Sequence, residues 1–159
     1  MSTIFLNNDV LIKKLQQVAH KLDHPLPLTQ DLARVLLSQT QQNFHFNGRP
    51  AWAGLSTRTL EIYRKQGYVP KGLLQRSPDG LKNSIQHSFD HHSASVVAGS
   101  GKSKDYAAIH QFGGMAGRNR KVKISARPYL PIDQDGNLQT EAELAIEATA
   151  QHYLNKLFD

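Results

Sequence analysis

The side chains of this sequence that could do chemistry are its eight histidines and its clustered arginines and lysines. His87, Asp90, His91 and His92 lie close together, and imidazole with carboxylate is a metal-binding combination. On a strand, however, His87 and His91 share one face while His92 points away. A solvated hairpin tip therefore explains the cluster better than a metal site. His110 lies next to Ile109 and two residues before Phe112. Cysteine is absent and no serine-centred signature accompanies it, so a nucleophilic triad has no support. His110 is expected to be structural, hydrogen-bonded to a nearby carbonyl. Gly99-Ser-Gly-Lys-Ser103 resembles part of a phosphate-binding loop, but position 96 is Val where the spacing requires Gly. It reads as a flexible exit from a hairpin. Glu61, Glu141, Glu143 and Glu147 fall on predicted outer or capping positions, so no carboxylate pair is spaced for acid–base work. No catalytic, cofactor-binding or metal-binding residue is assigned.

The basic segment carries more. Arg118, Arg120, Lys121, Lys123 and Arg127 follow one another without an intervening acid. A solvated loop is the plain reading. The functional one is a surface facing DNA phosphates, or an acidic rim on a partner ring. The chain as a whole has a formal charge of +6, which favours polyanionic partners.

These residues need elements to hold them. Tyr106, Ile109 and Phe112 recur at spacing three, as on one or two turns of helix. Gly113 supplies a left-handed stop. A loop, Gly114 to Lys121, follows, and Val122 and Ile124 then alternate with Lys123 and Ser125 as in a half-buried strand. Pro128 fixes the backbone before Tyr129 and Leu130. Upstream, Asp9 is placed to cap a first helix, ended by Pro25 and Pro27. Residues 1–27 form an arm for this domain or a neighbour. Thr29 is expected to cap a second helix to about Phe44, roughly 24 Å long, with Leu32, Val35, Leu36, Thr40, Asn43 and Phe44 on one face. Gln39, Gln41 and Gln42 would give it a polar, uncharged outer face, suited to a partner subunit. Trp52 is expected in or over the core. Ser56 caps a short helix, Thr57 to Gln66, stopped by Gly67. Val69 to Gly80 reads as a mobile loop. Leu81 to Asp90 alternates like a strand, turning at His91-His92-Ser93 into a return strand, Ala94 to Gly99. Thr140 and Glu143 form a capping box for a last helix to about Leu157. Its apolar stripe (Ala142, Ala145, Ile146, Thr149, Tyr153, Leu157) is widened by Leu144, Ala148, Leu154 and Phe158, predicting burial on two sides, against the sheet and against another subunit.

Two words in this sequence, Tyr106-Ala-Ala-Ile-His-Gln-Phe-Gly-Gly114 and Ala126-Arg-Pro-Tyr-Leu130, resemble the phage virion morphogenesis family. That family includes tail completion protein S and the Mu protein G type. Asn43-Phe44 with Gly48-Arg-Pro-Ala-Trp-Ala-Gly-Leu-Ser56 and Thr59-Leu60 agrees. So does Leu73-Leu-Gln75 with Ser77, Gly80-Leu81 and Ser84-Ile85. The likeness spans about residues 28 to 132, in order. Two departures are Pro78-Asp79, inserted where the family runs Ser-Gly, and Pro131 in place of Gly. The resemblance implies structural roles for Trp52, Tyr106, His110, Phe112, Gly113, Gly114, Arg127 and Pro128. It also implies a non-enzymatic protein of tail completion and head–tail joining, acting as a ring at the head-proximal end of the tail. Its partners would be other tail or neck proteins and further copies of itself, with DNA passing along the axis. Such a protein is made in a bacterial cytoplasm and built into a virion. The alternatives are a DNA-binding accessory protein working through residues 118–127, or a small metal-dependent hydrolase using the His-rich hairpin.

The length, 159 residues, suits one domain over 1–159 with a real core. No run of eighteen apolar residues predicts a membrane span, no secretory signal is apparent, and the absence of cysteine fits an intracellular product. The expected fold is α+β: an antiparallel or mixed sheet of about four strands packed with helices.

Overall fold

The structure, a computed structural model, describes residues 9–77, 80–133 and 135–158. Among the described residues the fold is α+β, with five α-helices and four strands. The strands are all antiparallel and form two separate two-stranded hairpins. The Pro78-Asp79 departure lies outside the described residues.

Helix α1 covers Asp9–Asp23 and α2 covers Leu26–His45. Thr29 does not cap α2. The helix starts one turn earlier, because Pro25 precedes it and Pro27 falls in its first turn, where a missing N–H costs nothing. Thr29 is instead buried inside the helix, and its hydroxyl donates to the Asp90 carbonyl at 2.6 Å. That bond ties α2 to a hairpin of β1 (Gln86–Phe89) and β2 (Ala94–Val97), registered Gln86↔Val97 to Phe89↔Ala94. The expected strand from Leu81 is shorter than its alternation suggested. Leu81–Ser84 is a 3-10 turn, in which the Ser84 hydroxyl donates to Leu81 O, so alternation there was coincidental. The return strand likewise ends at Val97.

Helix α2 is the spine. One side carries the β1–β2 hairpin, and another carries α5 (Thr140–Phe158), which also meets α1. The last helix therefore packs on helices, and not on a sheet as expected. Its start is displaced as well. Thr140 is already helical, and the carbonyl of Gln139 accepts from Ala142 N and Glu143 N.

Of the glutamine face of α2 only Gln41 is exposed. Gln39 is buried and Gln42 half-buried, because Arg49 folds back onto them. Its guanidinium donates to Gln39 Oε1 (2.8 Å), Gln42 Oε1 (2.9 Å) and Asn43 Oδ1 (2.9 Å). Asn43 in turn donates to Gln139 Oε1, and Gln139 donates to Arg49 O. A polar network thus joins α2, the Arg49 turn and the start of α5. Beside it lies the apolar core of Phe44, Trp52, Leu81, Ala107 and Tyr129. Phe44 and Trp52 meet edge to face at 5.9 Å between centroids, a favoured aromatic geometry. Gly48 is confined by the same ring: a Cβ there would fall inside the Trp52 indole.

Candidate functional site: a cationic hairpin beside an aromatic cleft

The site is built on α4, Lys104–Phe112. Gly99 and Ser100 lead into it through a short 3-10 turn, Gly101–Ser103. Gly99 N donates to the Ser84 hydroxyl there, and Ser103 is buried. The side of α4 that packs inward carries Ala107 and Gln111, with Tyr106, Ile109 and His110 half-buried. Phe112, expected on the apolar face, is 50% exposed. Spacing three drifts around a helix of 3.6 residues per turn, so Phe112 rotates off the face that Tyr106 begins.

After α4 the chain reverses at Gly113, which has φ 73° and ψ −178°. Its positive φ was expected, but its ψ is extended, so the stop is not left-handed helical. This region is open essentially only to glycine. The expected loop from Gly114 is partly strand. Gly114–Ala116 forms β3 and pairs with β4, Val122–Ile124, in the register Met115↔Lys123. Val122, read as inward-facing, is 53% exposed and borders an open cleft. At the tip, Gly117 opens a single 3-10 turn, Arg118–Arg120, in which Asn119 and Arg120 both have positive φ. Arg118, Arg120, Lys121 and Lys123 are all exposed. Among the described residues none of these four has an acidic partner.

Arg127 has a different setting. Its Nε donates to Ala53 O at 3.0 Å and its Nη2 to Gly54 O at 2.9 Å. Its backbone N donates to His110 O at 2.7 Å. Pro128 O accepts from Trp52 Nε1 at 3.1 Å. Gln111 completes the stitching: its Oε1 accepts from Tyr129 N and Leu130 N, and its Nε2 donates to Ile132 O. The structure therefore brings Trp52, Tyr106, His110, Gly113, Arg127 and Pro128 together around one junction. Arg118, Arg120 and Lys121, at the hairpin tip, stand apart from it.

Between the hairpin, α4, the chain near Tyr68 and α3 (Thr57–Lys65) lies a cleft of about 700 Å³. Ser56 caps α3 as expected, accepting from Thr59 N. Tyr63, Tyr68, Tyr106 and His110 face the cleft with Arg76 and Lys123, and among the described residues no carboxylate lines it. Arg76 stacks on the Tyr63 ring at 5.2 Å. His110 is packed edge-on against Tyr106. Its Nδ1 is buried without a hydrogen-bond partner, so the expected bond to a carbonyl is not made. Burial, and then the charge of Arg127, hold His110 below the ordinary imidazole range. Burial also lowers the Arg127 guanidinium.

The His-rich hairpin resolves into a turn. The Asp90 carboxylate accepts from His92 N, Ser93 N and the Ser93 hydroxyl. These bonds hold it below the usual carboxylate range. His91 lies against His24 instead of joining His87. Among the described residues no group of three metal-binding side chains converges. No helix is long and apolar enough to cross a membrane, again among the described residues. Sequence reasoning missed the cleft and the Arg49 network. The one available signal for the network was an arginine in a Gly-Arg-Pro turn shortly after Gln39 and Gln42.

The chain is similar to known phage proteins. It is 37% identical over 131 residues to "Mu-like prophage FluMu G protein 2" of Haemophilus influenzae, covering 82% of this chain and 83% of that protein. It is 30% identical over 141 residues to "Putative capsid assembly protein G" of Escherichia phage Mu, covering 82% and 86%. No solved structure matches it. The model of the phage virion morphogenesis family matches residues 6–154. With the junction of Trp52, His110, Arg127 and Pro128 assembled from the same words of sequence, this chain belongs to the phage virion morphogenesis family.

Proposed function

We propose that this protein is a structural component of tail completion and head–tail joining, acting as a ring at the head-proximal end of the tail. It works as one domain, without catalysis, and is made in a bacterial cytoplasm before being built into the virion among tail or neck proteins. The observation that carries this reading is the β3–β4 hairpin. It holds Arg118, Arg120, Lys121 and Lys123 exposed and, among the described residues, without acidic partners, beyond a junction stitched together by Gln111 and Arg127. A rigid base with a cationic tip is suited to joining, because it presents charge without drawing on the core. The tip's counterpart is either DNA on the ring axis or an acidic protein rim.

Replacing Arg118, Arg120 and Lys121 by Gln tests this. The core is untouched, so melting should be unchanged while the yield of joined virions falls. If the tip meets duplex DNA, the log–log salt slope of binding should flatten by roughly 0.9 per lost contact. If it meets a protein rim, tail attachment should fail with DNA affinity unmoved. A variant that complements a phage lacking this protein, with normal yield, would overturn the proposal. Normal tail joining with lost DNA binding would favour an accessory DNA-binding role.

A further inference from the structure

Two uncovered surfaces of this chain are opposite in charge, and both have apolar centres. The first is the β3–β4 hairpin. Its strands are three residues each, and a two-stranded ribbon alone is marginal in water. Met115 pairs with Lys123 and Ala116 with Val122, so Met115 and Val122 lie on opposite faces. Both are nevertheless about half exposed, at 49% and 53%. The second surface is the outer side of α5. Ala142 and Leu157 on its inner side are buried, whereas Leu144 and Phe158 are 59% and 56% exposed. Leu144, Ala148, Gln151 and Leu154 follow at spacings of three and four and line a shallow depression with Glu147. Glu141 and Glu143 are exposed beside it, and no Lys or Arg occurs between Thr140 and Asn155. Glutamates in a first turn complement the helix dipole. That accounts for their placement, but not for a leucine row left in water next to them.

We infer that the β3–β4 hairpin of one copy docks on the outer face of α5 of the next copy. Met115, on the face of the ribbon it shares with Lys123, covers Leu144, Ala148 and Leu154, while the tip cations meet Glu141, Glu143 and Glu147. The inference rests on the assembly reading above and names the acidic rim as a second copy of this chain. DNA phosphates would answer the cations but leave Met115 in water. The two surfaces differ, so the contact is heterologous and closes into a ring when its rotation permits.

The chain contains no cysteine, which makes a clean test available. Lys121→Cys and Glu147→Cys placed in one chain should, on oxidation of concentrated protein at low salt, give a ladder of disulfide-linked multimers. Either substitution alone should stop at dimers. In the cysteine-free protein, Glu141, Glu143 and Glu147→Lys should abolish self-association in light scattering, as should Arg118, Arg120 and Lys121→Glu. Mixing the two variants should restore it, since each then offers the other a complementary surface; restoration also shows that both are folded. Absence of a ladder, or α5 variants that associate like the wild type, would overturn the inference. Loss of duplex binding in the hairpin variant, with the α5 variant inert, would assign the tip to DNA; that sinks the inference and keeps the assembly reading. A ladder that forms, alongside a charge-reversed hairpin that still gives normal virion yield, would sink the assembly reading and keep the contact.

Discussion

Gly113 shows how one residue fixes the site. Its φ of 73° with an extended ψ turns the chain out of α4 and into β3 within one residue. A Cβ there would also lie 3.0 Å from Ala126 N and 3.1 Å from Ile124 O, both backbone atoms that cannot swing aside. Gly113→Ala should therefore cost about 1–3 kcal/mol, lowering the melting temperature by roughly 2–4 °C per kcal/mol in a chain of this size. A wild-type melting curve would show that the turn can be made otherwise. Tyr129 fixes the core in a different way. Its ring is buried against Phe44, and its hydroxyl donates to Ala107 O at 3.1 Å. Burial pushes its pKa from 10.0 up to about 12. The folded state thus favours the protonated phenol. That contribution is fully present below pH 10 and is lost as pH rises through about 12. Tyr129→Phe should cost about 0.5–1.5 kcal/mol at neutral pH, the net worth of one hydrogen bond. It should also flatten the alkaline fall in stability, read from denaturant midpoints between those two values. An unchanged alkaline slope in the variant would place the titrating group elsewhere.

At the scale of elements, legibility followed period and punctuation. Helix α3 was readable because Ser56 caps it and Gly67 ends it, both local signals. The β1–β2 turn was readable from the polar cluster that Asp90 organises. The start of α2 was misplaced because proline punctuates in two ways: it ends α1, yet sits freely in the first turn of the next helix. Alternation from Leu81 to Ile85 could not distinguish a strand from a 3-10 turn, since five residues fit both. The glutamine face of α2 and the cationic run 118–127 were both read by residue type alone. Long-range partners then divided them. Arg49 covers Gln39 and Gln42, and the Ala53 and Gly54 carbonyls take Arg127 out of the exposed set. Gln111 is the sharpest case, because nothing local marks it. It is almost fully buried and serves two backbone N–H groups and one carbonyl of the 129–132 segment. Gln111→Leu keeps the helix and the volume but leaves those three groups buried and unpaired. It should cost roughly 3 kcal/mol or more, at about 1–3 kcal/mol per group, a loss that chemical denaturation would read directly. A loss below about 1 kcal/mol would mean that water replaces the side chain there.

Across the whole molecule, stability is unevenly distributed, and α1 is lightly anchored. Of its fifteen residues only Val18 is buried. Leu11, Leu15 and Leu22 are between 45% and 58% exposed although they continue the same apolar row. Two polar ties supplement Val18: Tyr153 donates to Lys21 O, and Lys14 donates to Phe158 O. Helix α2, in contrast, buries Thr29, Ala33, Gln39, Thr40, Asn43 and Phe44 between the β1–β2 hairpin and α5. An isolated helix of this length is marginal in water, so α1 holds its shape only while docked. Opening it exposes Val18 and the covered half of the leucine row and breaks the bonds to Tyr153 and Phe158, far less than global unfolding requires. Val18→Ala removes two methyl groups' worth of that docking, about 1–2 kcal/mol by transfer. Amide exchange along Lys13–Leu22 should then quicken by roughly tenfold, the equivalent of about 1.4 kcal/mol. Amides near Phe44 in α2 should keep their wild-type protection. If the α2 amides lose protection in step with those of α1, the arm opens only when the whole chain unfolds, and its docking is part of the cooperative core.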